Sequence, residues 1–228
     1  MSHPHPSHQA VQVAGSELWL LAERALWWPT GQVLMVADIH FGKAASYRAL
    51  GQPVPGGTTA GNLKRLDALL ARLPCRRLIF LGDFLHSREA RTARTLEALE
   101  LWRDRHAALP ITLVRGNHDK RAGDPPARWN IEVVGEPLLL GPFALQHEPA
   151  PHASHHVLAG HLHPAFVLRG RGRQQVRLPC FVIGEGLSLL PAFGNFTGAM
   201  TWKIDENERV FVVGDGGVWE VPSARRSK

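Results

Sequence analysis

Arg115-Gly116-Asn117-His118-Asp119 sets an amide oxygen, an imidazole and a carboxylate side by side. Immediately before it runs Leu109-Pro-Ile-Thr-Leu-Val114, short, apolar and partly β-branched, which predicts a buried strand. Gly116 permits a tight turn after that strand. The polar residues then sit on the lip of a sheet, where α/β proteins place their chemistry. Taken alone, the pentad is equally readable as an ordinary polar turn.

Four more predicted strand ends carry partners for it. Gln32–Ala37 runs into Asp38-Ile-His40, Arg77–Leu81 into Gly82-Asp83, Phe143–Gln146 into His147, and His155–Ala159 into Gly160-His161-Leu-His163. Asp38 and His40, two apart on an extended chain, are expected to point to one side. Each residue singly has a bland reading; His147 alone would be a hydrogen-bonded core histidine. Together they supply carboxylate, imidazole and amide donors, a mixture that suits Mn, Fe or Zn, whereas Mg or Ca prefers oxygen alone. Seven or eight such ligands are too many for one ion. Two neighbouring ions can use them if one carboxylate bridges, and Asp83, alone at its strand end, is the choice.

The elements that must position these residues follow from hydrophobic pattern. Gln32–Ala37 and Arg77–Leu81 read as strands covered on both faces. Thr58–Leu73 carries a leucine stripe of helical period, and residues 89–108 read as a second helix. The alternation predicts an α/β domain with a mainly parallel sheet and crossover helices. Beyond Asn130 the pattern is mostly short strands. One domain, 11–221, is expected to hold both halves, with a flexible leader at 1–10 and a basic tail at 222–228.

Composition narrows the class. At 228 residues and 44% hydrophobic, the chain can bury one domain. No apolar run approaches the roughly 20 residues that span a bilayer, and the N-terminus lacks the regions of a signal peptide, so no membrane association and a cytoplasmic location are expected. Cys75 and Cys180 form no CxxC pair and read as buried thiols. The net charge of +6 is compatible with a polyanionic substrate without demanding one. Arg88, Arg91 and Arg94 fall every three residues on one predicted helix, and Arg169, Arg171 and Arg173 crowd one turn. Both are candidates for phosphate contact, or simply solvated surface.

The blocks Asp38-x-His40, Gly82-Asp83, Gly116-Asn117-His118-Asp119, His147 and Gly160-His161-x-His163, in this order, resemble the calcineurin-like metallophosphoesterase superfamily over about residues 30–170. Leu26-Trp-Trp-Pro29, Ala37–Lys43, Leu81–His86, Val114–Asp119, Gln146–Pro149, Gly160–Pro164 and Leu190–Gly198 are similar to the ligase-associated DNA-damage-response phosphodiesterases. The resemblance implies a four-layer α/β/β/α sandwich with a dinuclear metal site at the strand ends. Asp38, His40, Asp83 and His163 would hold one ion, and Asp83, Asn117, His147 and His161 the other. Two divalent transition-metal ions, Mn before Fe or Zn, would share a water and present hydroxide in line with phosphorus. The substrate implied is DNA or another nucleotide phosphodiester, in repair alongside a DNA ligase and a helicase. His118 would protonate the leaving oxygen, with Asp119 orienting its ring. Arg115 would contact phosphate or pair with an acid; His86 and Lys43 would meet substrate or line the pocket. Two rivals stand beside this reading. One is a small-molecule or lipid-linked nucleotide pyrophosphatase, whose lipid form would want an apolar cap helix that the sequence lacks. The other is a non-catalytic metal-binding scaffold, which the complete ligand set disfavours.

Overall fold

In a computed structural model of the chain, residues 7–54, 56–195 and 197–222 are described. The first sheet opens with β1 His8–Val13, β2 Ser16–Leu21, β3 Leu26–Trp28 and β4 Val33–Ala37, each antiparallel to the one before. Helices α1 Lys43–Ala49 and α2 Thr58–Arg72 lead to β5 Arg77–Leu81. Helix α3 Ala93–Arg105 leads to β6 Ile111–Val114, and the short α4 Asp119–Ala122 to β7 Ile131–Val134. The strands β4 to β7 are parallel and in sequence order, as the alternation of strand and helix predicts.

The second sheet is built from β8 Leu138–Leu140, β9 Phe143–Gln146, β10 His156–Ala159, β11 Pro164–Arg169, β12 Gln175–Ile183, β13 Leu187–Leu189 and β14 Met200–Thr201. Its order is β14-β11-β12-β13-β10-β9-β8, and β12 also pairs with the hairpin of β15 Arg209–Gly214 and β16 Gly217–Glu220.

Period-two alternation explains how the layers stack. Leu34, Val36, Leu78, Phe80, Ile111 and Leu113 face the helices, where Leu63, Leu66, Leu69, Leu99 and Trp102 meet them. The intervening Val33, Met35, Ala37, Ile79, Leu81 and Val114 face the second sheet and pack on Phe143, Leu145, Leu158, Phe181 and Phe211. The central strands are thus apolar on both sides because each side is covered. Among the described residues every α-helix lies before Gly123, and α2, α3 and α4 contribute to the first cluster. The outer face of the second sheet, which the resemblance assigned to helices, is instead covered by Phe166, Leu168, Leu178, Trp202 and Trp219 from strands and loops. Among the described residues the two sheets and the helical layer of the expected architecture are present, and strands and loops form the outer side of the second sheet.

Two boundaries also moved. His8 to Ala10, placed in the leader, belong to β1, and the His8 ring stacks on Trp19 at 4.4 Å between centroids. Residues 1–6, like 223–228 of the basic tail, lie outside the described residues. The predicted helix 89–108 is shorter: Arg88–Ala90 is a 3₁₀ turn, and α3 begins only after Thr92, whose hydroxyl caps it by accepting from the Thr95 N–H. Arg88, Arg91 and Arg94 therefore share no helix. Arg88 donates to the Arg121 carbonyl and Arg91 to those of Ala122, Gly123 and Asp124, so these two tie the 121–124 segment to the body. Both cysteines are free; burial pushes the Cys180 thiol up to about 12. No helix among the described residues is long and apolar enough to cross a membrane.

Leu158 is fully buried on β10 between the two sheets. Leu158→Ala is expected to lower the unfolding free energy by about 2–5 kcal/mol in chemical denaturation.

Candidate metal centre

All seven residues expected to hold metal come together at the carboxyl ends of β4, β5, β6, β9 and β10. The Nε2 of His163 lies 3.3 Å from Asp38 Oδ1, and the Nε2 of His40 lies 3.6 Å from Asp83 Oδ2. The other Asp83 oxygen, Oδ1, is 3.4 Å from His147 Nε2. That nitrogen in turn is 2.8 Å from Asn117 Oδ1 and 3.0 Å from His161 Nδ1. Asp83 thus presents one oxygen to each half of the cluster, the arrangement a bridging carboxylate needs.

The chain reaches this arrangement through strained backbone rather than extended strand. Asp38, His40, Asp83, His161 and His163 all have positive φ, at 53°, 47°, 54°, 70° and 47°. Such conformations are uncommon for residues with a Cβ and concentrate at functional sites. The expectation that Asp38 and His40 point together because they are two apart on a strand is therefore corrected. Strand β4 ends at Ala37, and it is a pair of left-handed residues that turns both side chains inward.

Close approach needs glycine at two of these turns. A Cβ on Gly116 would stand 2.5 Å from Asp83 Oδ1, and one on Gly160 would stand 2.5 Å from Asp38 Oδ2. Gly116 does not have positive φ, so space, and not the turn conformation expected of it, is what it supplies.

Asp119 does not orient His118. Its carboxylate accepts from the backbone N–H groups of Asp83 at 2.8 Å, Phe84 at 2.9 Å, Leu85 at 3.3 Å and Gly116 at 2.9 Å. It thereby pins the loop after β5 to the loop after β6, each of which carries a ligand. The group that meets His118 is the His86 carbonyl, which accepts from His118 Nδ1 at 2.6 Å. That bond leaves Nε2 of His118 turned toward the centre, 4.0 Å from Asp83 Oδ2.

His86, expected to meet substrate or line the pocket, has a second contact. Its Nδ1 lies 3.4 Å from His40 Nδ1, and its ring stacks on His118 at 5.0 Å. Burial, with the Lys43 ammonium adding to it, pushes the His86 ring down to about 4. The ring is accordingly neutral at neutral pH and offers a lone pair. Lys43, the first residue of α1, is itself buried beside the cluster. Burial lowers its ammonium pKa, opposed by Asp83 and Asp38. Arg115 is spent elsewhere: its guanidinium makes a two-point pair with Asp124, at 3.0 and 2.7 Å.

Residues 190–195 and 197–198 buttress the ligand loops. The N–H of Phe193 and of Gly194 donate to the carbonyls of Ala37 and Asp38, and the Gly198 carbonyl accepts from His163 Nδ1 at 2.8 Å. Asn62 on α2 adds a bond to the Ile39 carbonyl. No local sequence signal marks Asn62 or the Asp119 clamp, because both act across long separations.

The donor set fits a pair of divalent cations. His163 Nε2, His40 Nε2 and Asp38 Oδ1 are buried without a hydrogen-bond partner and face one another's neighbourhood. His147 spends its Nδ1 on the Leu81 carbonyl at 3.1 Å, so its Nε2 lone pair confronts acceptor oxygens of Asn117 and Asp83. Burial, together with nearby Asp38, raises the Asp83 carboxyl above the ordinary range, although His147 opposes this. Clustered buried acceptors of this kind are what a cation between them relieves.

Fold and site together define a metal-dependent phosphoester hydrolase. The family description "Calcineurin-like phosphoesterase" matches residues 31–163, and the chain belongs to that family. The crystal structure of Pseudomonas putida nuclease MPE is similar at 54% identity and a TM-score of 0.83, covering 94% of this chain and 100% of that one. Yfce, a phosphoesterase from E. coli, is similar at 16% identity and a TM-score of 0.39, covering 83% of this chain and 97% of that one. No curated protein matches.

Asp119→Asn, which turns an amide N–H₂ toward backbone donors, is expected to cost about 1–3 kcal/mol per orphaned N–H and to weaken metal binding. Denaturation and elemental analysis read both. Metal content equal to the parent's in a destabilised protein would show that the clamp supports the fold without holding the ligands.

Proposed function

We propose that this chain is a dinuclear-metal phosphodiesterase that cleaves DNA strands, with manganese as its metal ahead of iron or zinc. The observation that carries the reading is the shared Asp83: its two oxygens face two separate sets of donors, with His118 Nε2 beside them. The nuclease relative at 54% identity supports a nucleic-acid substrate, and the mixed nitrogen and oxygen donors support a transition metal. A role in DNA repair, together with a ligase and a helicase, rests on the sequence resemblance.

Asp38, His40, Asp83 and His163 would hold one ion and Asp83, Asn117, His147 and His161 the other. When bound, such a pair supplies an activated nucleophile at neutral pH and neutralises charge on the phosphoryl oxygens. The protein's own groups do the rest. His118, with Nδ1–H committed to the His86 carbonyl, holds a proton at Nε2 in its cationic form and gives it to the leaving oxygen. A positioned imidazole in that role is worth typically about 10²–10⁴-fold.

His86 acts through other residues. Its carbonyl sets the His118 ring, and its neutral Nδ1 accepts from His40 Nδ1–H, which leaves His40 Nε2 as the lone pair toward metal. Lys43, buried at the same rim, would meet a phosphate oxygen. Arg115 would serve as a structural partner of Asp124, which takes two of its donors, at Nε and Nη2.

Protein loaded with Mn should contain two ions per chain by elemental analysis and hydrolyse a generic aryl phosphodiester. Asp83→Ala should lose metal and activity together; a variant as active as its parent would remove the bridging carboxylate from the mechanism. A panel of single-stranded, duplex and 3′-blocked DNA beside nucleotide pyrophosphates assigns the substrate, and preference for a pyrophosphate would replace DNA.

His118→Ala should keep its metal and lose about 10²–10⁴-fold in turnover on diesters with poor leaving groups, with a smaller loss on activated aryl esters. Equal losses on both would take the proton-donor role away. His86→Phe keeps the backbone carbonyl and a stacking ring but removes the ring nitrogen. It should weaken metal affinity by roughly 10–100-fold while leaving the leaving-group dependence as in the parent. Unchanged metal affinity would reduce His86 to packing.

A further inference from the structure

Charge along this chain is segregated. From Pro149 to Gly184 there is no aspartate or glutamate, while Arg169, Arg171, Arg173 and Arg177 all fall within it. The four belong to the hairpin of β11 and β12, and all are exposed.

Register shows how the hairpin presents them. Phe166 pairs with Leu178, Leu168 with Val176, Val167 with Arg177 and Arg169 with Gln175. Residues directly opposite share a face. Phe166, Leu168 and Leu178 pack down on the third apolar cluster, so Arg169 and Arg177 stand on the outward face, and Arg171 and Arg173 occupy the turn. Strand β12 is exposed over its first residues and buried over its last four. The paired ends stay in the body while the arginine-bearing ends project from it.

These arginines differ from several others on the surface. Arg115 pairs with Asp124, Arg128 with Glu100 and Arg209 with Glu220. Among the described residues, Arg169, Arg171 and Arg173 have no hydrogen-bond or ion-pair partner, and Arg177 gives one nitrogen to the Ala199 carbonyl. No carboxylate in their own stretch of chain offsets their charge.

The arm is rooted at the metal centre. Strand β11 begins at Pro164, directly after His163, and the His163 carbonyl accepts from the Met200 N–H of β14 alongside. A strand of six residues reaches about 17–20 Å, which at the roughly 3.4 Å rise per nucleotide of one duplex strand corresponds to about five or six phosphates.

We propose that the β11–β12 hairpin is a basic arm that holds the phosphate backbone of a nucleic-acid strand whose scissile phosphate lies at the metal centre. The inference rests on the phosphodiesterase reading above and extends it, since it makes strand length matter and places sequence-independent contacts outside the centre.

Binding of a fluorescently labelled single-stranded 20-mer, followed by anisotropy over a salt series, tests it without requiring turnover. Each phosphate contact in a single strand contributes about 0.7 to the slope of log K against log salt. R169Q/R171Q/R173Q should therefore flatten that slope by about 2 and weaken binding at low salt by at least about tenfold. R169K/R171K/R173K should retain most of the slope. Hydrolysis of the aryl phosphodiester, too small to reach the arm, should be the same in the parent and both variants. An unchanged slope in the glutamine variant overturns the arm, as does tighter binding of the parent to anionic vesicles or acidic peptides than to the oligonucleotide. Parallel loss of aryl diester hydrolysis would make the hairpin structural and equally overturn it. Salt-sensitive binding that depends on the arginines, in a protein that hydrolyses no phosphodiester, would keep the arm and remove the enzymatic reading.

Discussion

Four backbone N–H groups from two loops converge on one carboxylate, that of Asp119. Loops at strand ends carry donors that no sheet partner satisfies, and burying them unpaired is costly. Asp119 satisfies the donors of residues 83 to 85 and of Gly116 at once. In doing so it fixes the distance between Asp83 and Asn117. The N–H of His118 then closes the arrangement by donating to Asp83 Oδ1 at 2.9 Å. The ligands are held because the backbone beneath them is held.

That frame carries strain. Five of the seven candidate ligands sit in left-handed backbone, a conformation costing of order 1–3 kcal/mol each. The surroundings over-determine them. Two apolar layers pack both faces of the parallel strands, the Phe193–Gly194 backbone is hydrogen-bonded to Ala37 and Asp38, and the His161 N–H donates to Asp38 Oδ2 at 2.9 Å. Rigid sheets thus position short, distorted segments, and the distortion is what lets alternate residues converge on one point.

Histidines near the centre divide by the partner of their Nδ1. In His147, His163 and His118 that nitrogen meets a backbone carbonyl, in His40 it meets His86, and in each case Nε2 is left facing inward. Such partners set tautomer and ring orientation. His161 alone among them turns Nδ1 to the cluster. A histidine-rich sequence becomes a directed set of lone pairs only through these contacts.

Much of this was legible in the chain itself. Apolar runs that end in Asp, Asn or His marked the parallel strands and brought all seven candidate ligands into view beside His118, because a buried strand has a strong local signature and its end is a defined place; setting His118 apart from them came from the resemblance. The choice of Asp83 as the shared carboxylate followed from ligand counting. Long-range facts were not legible. Asp119 and His118 are adjacent in sequence yet serve different partners, since a helical turn begins at Asp119 and carries its carboxylate under the loop instead of beside the ring. Arg88, Arg91 and Arg94 looked like one stripe until the break before α3 separated them. Arg115 met an acid nine residues on, and His86 met a ring 46 residues back. Local pattern determines which residues stand at the strand ends; only packing across the sheets decides which of their neighbours holds, orients or merely supports them.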